Sequence, residues 1–98
     1  MGRRPRRVGE LVLSAQRTLA PPTLLAAVQR EWRAATGDAI ADNAQPSGER
    51  GGVVTVTCGS SVWAAELTML APSLCSTLNE ALPEDRQVRG LKFLVGPV

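Results

Sequence analysis

The sequence predicts a small α+β domain: a sheet of about three strands with helices packed on one of its faces, in the order α-α-β-β-α-β. Three stretches carry that prediction. Ser60 to Leu82 has the longest helical period in the chain, with Trp63, Leu67, Leu70, Leu74, Leu78 and Ala81 recurring at steps of three and four to make one apolar stripe. Val53 to Cys58 is a β-branched run with Val54, Val56 and Cys58 on one face. Val88 to Val95 alternates, with Arg89, Leu91, Phe93 and Val95 pointing one way and Val88, Gly90, Lys92 and Leu94 the other. Three strands are too few for a barrel, and no βαβ repeat is visible. A small antiparallel or mixed sheet under helices is the layered way to bury these faces.

Taken in order, Met1 to Arg7 is expected to be a disordered basic arm, because Gly2, Pro5 and four mutually repelling arginines oppose regular structure. Residues 8–98 are expected to form one domain. Val8 to Leu19 reads as a short helix with Val8, Leu11, Val12, Ala15 and Leu19 on one side. Pro21 and Pro22 punctuate the chain, and Thr23 is placed to cap the next helix. That helix carries Leu24, Leu25, Val28, Trp32, Ala35 and Ile40 on one stripe, and the period runs across Gly37 to about Asp42. Asn43 to Ser47 is at best a weak strand, at an edge because of Pro46. Gly48 to Gly52 reads as the turn of a hairpin into Val53 to Cys58. Gly59 ends that strand, and Ser60 or Ser61 caps the long helix. Pro72 lies within this helix, and a kink or two shorter helices meeting near Ala71 are expected, since proline removes a donor and crowds the preceding turn. Pro83 to Arg86 is a loop before the last strand, and Pro97 stops that strand.

Composition narrows the chemistry. The 98 residues include no histidine, which removes the commonest general base, and no close carboxylate pair falls in an apolar context. Glu84 and Asp85 are adjacent in a polar turn. Cys58 and Cys75, the only cysteines, cannot make a usual four-ligand zinc site without histidine and read as buried reduced thiols. No stretch has the phosphate-loop pattern, the length of a membrane span or the apolar core of a signal peptide. The expectation is a cytoplasmic, non-enzymatic protein with no metal, cofactor or small-molecule substrate.

Charge points to a partner. The net charge of +2 is unevenly placed: without Arg3, Arg4, Arg6 and Arg7, the remaining seven basic residues face nine acidic ones. Basic arms of this kind bind nucleic acid through phosphate contacts. Arg17, Arg30 and Arg33 extend the basic character along the first two helices, and Lys92 adds a cation on the last strand. For Arg30 and Arg33 the alternative is a solvated face, with Glu31 and Asp38 nearby. Trp32 reads as core. Trp63, at the start of its helix, also reads as core with one edge available to a partner, and Glu66 follows one turn later.

An ordered set of residues then resembles a family. Trp32, Gly37, Ile40-Ala41, Pro46, the strand GVVTVTC, the helix opening SSVWAAEL with Leu70, Pro72, Leu74, Leu78 and Asn79, and the closing VRGLKFLVG follow the pattern of the DciA family of bacterial replicative-helicase loaders, over roughly Pro22 to Gly96. The resemblance implies a KH-like fold without the KH clamp, which is a GXXG loop between two helices. Leu70-Ala71-Pro72-Ser73 stands where that loop would be, and the string Gly48-Glu49-Arg50-Gly51 lies in a hairpin turn. It further implies a replicative DNA helicase as partner, with single- or double-stranded DNA held non-specifically. An RNA-binding KH-like module and a protein-interaction adaptor without nucleic-acid binding are the alternatives.

Overall fold

The computed structural model describes residues 23–98. The arm over 1–7 and the helix expected over Val8 to Leu19 lie outside them. The described elements are α1 (Leu24–Thr36), α2 (Asp38–Asn43), β1 (Ala44–Arg50), β2 (Val53–Cys58), α3 (Ser61–Ala81) and β3 (Gly90–Val95). The sheet has the order β1-β2-β3, with β1 antiparallel and β3 parallel to β2, and the helices pack against it. The α+β class and the order of elements are as expected.

Thr23 caps α1, its hydroxyl accepting the Ala26 N–H at 3.0 Å. The helix expected to run through Gly37 to Asp42 instead breaks there. Gly37 has φ 95° and ψ 164°, a region open essentially to glycine alone. Its N–H closes α1 on the Arg33 carbonyl at 2.8 Å, and its carbonyl receives the Ala41 N–H at 3.0 Å to open α2. The apolar period survives the break because Trp32 and Ala41 face one core from both sides of it.

The hairpin is longer than expected. β1 runs to Arg50, and Gly48, Glu49 and Arg50 pair with Thr55, Val54 and Val53. The turn shrinks to Gly51 and Gly52, whose φ values of 60° and 90° suit the two-residue turn that matches strand twist. The ladder is irregular between Pro46 and Gly48.

Gly59 donates to the Asn43 carbonyl at 2.9 Å, which sets the phase of the β1–β2 ladder. At Ala44 and Pro46 the backbone polar groups therefore turn outward, where proline's missing N–H does no harm. Both outward carbonyls are taken by α1: Trp32 Nε1 donates to Ala44 at 2.8 Å and Gln29 Nε2 to Pro46 at 3.1 Å.

Helix α3 is one continuous helix of 21 residues, not two meeting near Ala71. Pro72 and Thr68 are both exposed, so the carbonyl that loses its donor faces solvent. Ser60 caps the start, accepting the Trp63 N–H at 3.3 Å. The buried stripe is narrower than predicted. Leu67, Leu74 and Leu78 are buried, whereas Leu70 is 44% exposed and Ala81 is also exposed.

The parallel β2–β3 pairing makes β2-α3-β3 a single βαβ unit, which the lack of a sequence repeat did not reveal. β3 begins at Gly90, two residues later than the alternation suggested. Val88 is buried ahead of it, and Asn79 clamps its backbone: Val88 N–H donates to Oδ1 at 2.7 Å, and Nδ2 donates to the Val88 carbonyl at 2.9 Å. The Gln87 amide nitrogen shares its two hydrogens among the Asn79, Leu82 and Pro83 carbonyls, and so closes the end of α3.

Candidate nucleic-acid and partner interface

The sheet has a helix-covered face and, among the described residues, an open one. Ala44, Pro46, Val54, Val56 and Cys58 fill the covered face and are buried. Leu91 and Phe93 extend it across β3, half-buried. The open face carries Gln45, Ser47 and Arg50 from β1, Thr55 and Thr57 from β2, and Lys92 and Leu94 from β3. The Ser47 and Thr57 hydroxyls are 2.8 Å apart across the β1–β2 pair.

The predicted cations fall in separate places. Arg3, Arg4, Arg6, Arg7 and Arg17 lie outside the described residues. Arg30 is exposed on α1 and lines a cavity of about 300 Å³ with Glu31, Pro83, Asp85 and Arg86, a surface of mixed charge. Arg33 donates Nη1 to Asp38 and Nη2 to Asp42, both at 2.9 Å, across the α1–α2 break. The hydrogen bonds to Asp38 and then Asp42 raise its pKa further above the ordinary range. Its guanidinium is thus already neutralised by two carboxylates. Lys92 is exposed on the open face of the sheet, away from the helical layer that holds Arg30 and Arg33. Arg30 and Lys92 are not brought together.

Trp63 and Glu66 sit one turn apart at the start of α3. Trp63 is half-buried against the core, and Glu66 is exposed. Beside them are two side chains that the periodic reading passed over, Val62 at 69% and Met69 at 76% exposure. They share a helix face with Glu66, four residues after Val62 and three before Met69. The available signal was charge: between Ser61 and Ala81 only Glu66 and Glu80 are ionic, so this long helix lacks a fully charged solvent face. Arg50 was also passed over, because it was read as part of a turn.

The thiols lie inside. Cys58 is buried and Cys75 partly buried, and loss of solvation raises the pKa of each. Cys75 Sγ sits 3.3 Å from the Val88 carbonyl. Both thus stay in the protonated, poorly nucleophilic form at neutral pH. Among the described residues no cluster of three His, Cys, Asp or Glu side chains could hold a metal, and no helix is long and apolar enough to cross a membrane.

Comparison with known proteins now bears on this geometry. A family model described as "Dna[CI] antecedent, DciA" matches residues 7–93. A UPF0232 protein of Mycolicibacterium smegmatis is 44% identical over 66 residues, covering 67% of this chain and 33% of its own length. One of Streptomyces avermitilis is 34% identical over 85 residues, covering 83% and 47%. One of Streptomyces coelicolor is 34% identical over 100 residues, covering 98% and 52%. The chain spans between a third and about half the length of these relatives.

Proposed function

The chain belongs to the DciA family, and from that premise we propose that it is a DNA-replication accessory protein that binds the replicative helicase and assists its loading on DNA. The family match over residues 7–93 is the observation that carries this reading. The fold fits a binding module: its helical layer and its open sheet face offer surfaces of different chemistry on opposite sides. The β2-α3-β3 unit suits a KH-like scaffold without its clamp, a reading supported by α3 running unbroken through Leu70 to Ser73. Nucleic acid is then held by phosphate contacts, from Arg3, Arg4, Arg6 and Arg7 with support from Arg17 and Lys92. Arg30, set beside Glu31 and Asp85, and Arg33, already paired with Asp38 and Asp42, drop out of that set. The helicase side is the start of α3, where Trp63 and Glu66 are flanked by the exposed Val62 and Met69. An aromatic anchor with exposed apolar neighbours suits a protein contact better than a nucleic-acid one.

The test is a pull-down of the host's replicative helicase by the full chain, with and without single-stranded DNA and in each nucleotide state. Retention is expected, and it should weaken when Val62 or Met69 is replaced by a charged residue. No retention in any state would remove the helicase half of the proposal. Binding of single-stranded oligonucleotide that is flat across a salt series would remove the phosphate-driven half.

A further inference from the structure

The open face of the sheet is distinctive in its charge. Arg50 lies opposite Val53, and Val53 lies beside Gly90; in the next row Gly48, Thr55 and Lys92 stand side by side; in the row beyond, Gln45, Thr57 and Leu94. Two exposed cations, one on each outer strand, therefore flank a central strip of hydroxyls from Ser47, Thr55 and Thr57. Every acidic side chain between 23 and 98 lies elsewhere. Glu31 is on α1, Asp38 and Asp42 on α2, Glu66 and Glu80 on α3, and Glu84 and Asp85 in the loop after α3. Glu49 alternates away from this face, and its carboxylate accepts the Gly52 N–H at 2.7 Å. The described residues carry more acid than base overall, and the deficit sits entirely on the helical side.

We infer that this open face is a nucleic-acid site that takes the phosphate backbone of a single strand, with Arg50 and Lys92 contacting phosphates and two hydroxyl hydrogens, that of Thr55 and the one left free in the Ser47–Thr57 pair, donating to phosphate or sugar oxygens. The inference rests on the nucleic-acid half of the proposed function and gives it a surface. Three strands about 4.8 Å apart form a platform about 10 Å across, the scale of one strand rather than a duplex. Hydroxyls interleaved with cations are the side chains that fix a backbone without reading sequence. No aromatic ring lies on this face, so base stacking adds little, and binding is sequence-independent and salt-sensitive. The acidic helical side repels the same ligand and orients it.

The experiment uses the full chain and a labelled homothymidine oligonucleotide, with anisotropy read over a salt series. Each phosphate contact on a single strand contributes about 0.7 to the slope of log K against log salt, so Arg50→Gln with Lys92→Gln should lower that slope by about 1.4. Arg86→Gln, on the helical side, should leave it unchanged. Amide resonances of Ser47, Thr55 and Thr57 should shift on titration, and those of α1 should not. Both substituted positions are exposed, and equal melting temperatures verify that the variants fold. An unchanged slope in the double variant, with binding abolished by removal of residues 1–7, overturns the face and leaves the arm's role intact. Shifts of the same amides on removal of residues 1–22, with no oligonucleotide present, would mean that the chain's own N-terminal residues use the face, which also overturns it. If the unmodified chain does not bind the oligonucleotide at all, the nucleic-acid half of the proposed function falls together with this site.

Discussion

β1 and β3 are the two outer strands of one three-stranded sheet, and they are held by different means. β1 is closed over the first part of its outer edge by side chains of α1, an indole and an amide placed on the outward carbonyls of Ala44 and Pro46, with Pro46 removing a donor that would otherwise need a partner. β3 is held from before its start, where a single asparagine satisfies both polar groups of Val88, and its outer edge has no strand or helix-borne amide on it among the described residues. A sheet this small leaves two edges for every central strand, and an unprotected edge invites association. The β1 edge is capped by α1 at Ala44 and Pro46, whereas the β3 edge carries no such cap among the described residues.

The β1 side is where the largest stability effect is expected. Trp32 is 3% exposed and central to the buried cluster, so Trp32→Ala should destabilise by about 3–5 kcal/mol in urea unfolding, through lost burial and the cavity left behind. Trp32→Phe separates packing from capping. It keeps most of the ring and orphans the Ala44 carbonyl, which should cost about 1–3 kcal/mol. A Phe variant as stable as the parent would show that the indole N–H does not secure this edge, and the contrast between the two strands would collapse. The matching change on the other side is Asn79→Ala, which orphans the N–H of buried Val88 and leaves its carbonyl only the weak Cys75 thiol donor. About 2–3 kcal/mol is expected, by the same accounting for unsatisfied groups. Its loss should appear in hydrogen exchange first at Val88 and β3, leaving β1 protected.

Much of this architecture was legible in the chain, and the parts that were not have a common cause. The β-branched run of β2, the alternation in β3 and the stripe of α3 each report a period, and periods survive in sequence. What the periods could not supply were polar contacts between elements distant in the chain. Trp32 was readable as core from its stripe, but its hydrogen bond to Ala44 depends on the phase of a ladder set by Gly59 and Asn43. Asn79 carried no signal for a bond to Val88. Gly37 was misread because the apolar period continues across it, and hydrophobic spacing says nothing of φ. The candidate site divides in the same way. Lys92 was visible as a cation on an alternating strand, whereas Arg50 was hidden in what looked like a turn, and the pairing of Arg33 with two carboxylates needed the break at Gly37 to form.

That break gives a prediction of intermediate size. An added Cβ at Gly37 meets nothing within 4 Å, so Gly37→Ala tests backbone conformation alone. With φ 95° and ψ 164° it should cost about 1–3 kcal/mol. Arg33→Ala removes the exposed ion pairs that straddle the same break and should cost much less than the glycine change, falling further with added salt. If the two substitutions cost the same, the ion pairs and not the glycine set the angle between α1 and α2.

The smallest effects belong to the thiols, and they distinguish the two sides of the sheet most finely. Cys58 lies on the central strand with no exposed surface, whereas Cys75 is half-buried and touches the Val88 carbonyl that Asn79 clamps. A thiol reagent should therefore modify Cys75 through local opening of the segment before β3, and Cys58 only when the sheet unfolds. Asn79→Ala should accelerate Cys75 and leave Cys58 slow, while Trp32→Phe should accelerate Cys58 by the amount of its global destabilisation. The pH dependence follows from the direction of the shifts. Burial raises both folded-state values above the unfolded one of about 8.5, so the unfolded chain gives up these protons first. Their contribution to stability is fully present below that value and is lost as pH rises through the raised folded values. Replacing both cysteines with alanine should flatten the alkaline decline in stability. A decline of equal steepness in the double variant would place its origin in other groups, and equal labelling rates at the two thiols would mean that the β3 side opens only when the whole sheet does.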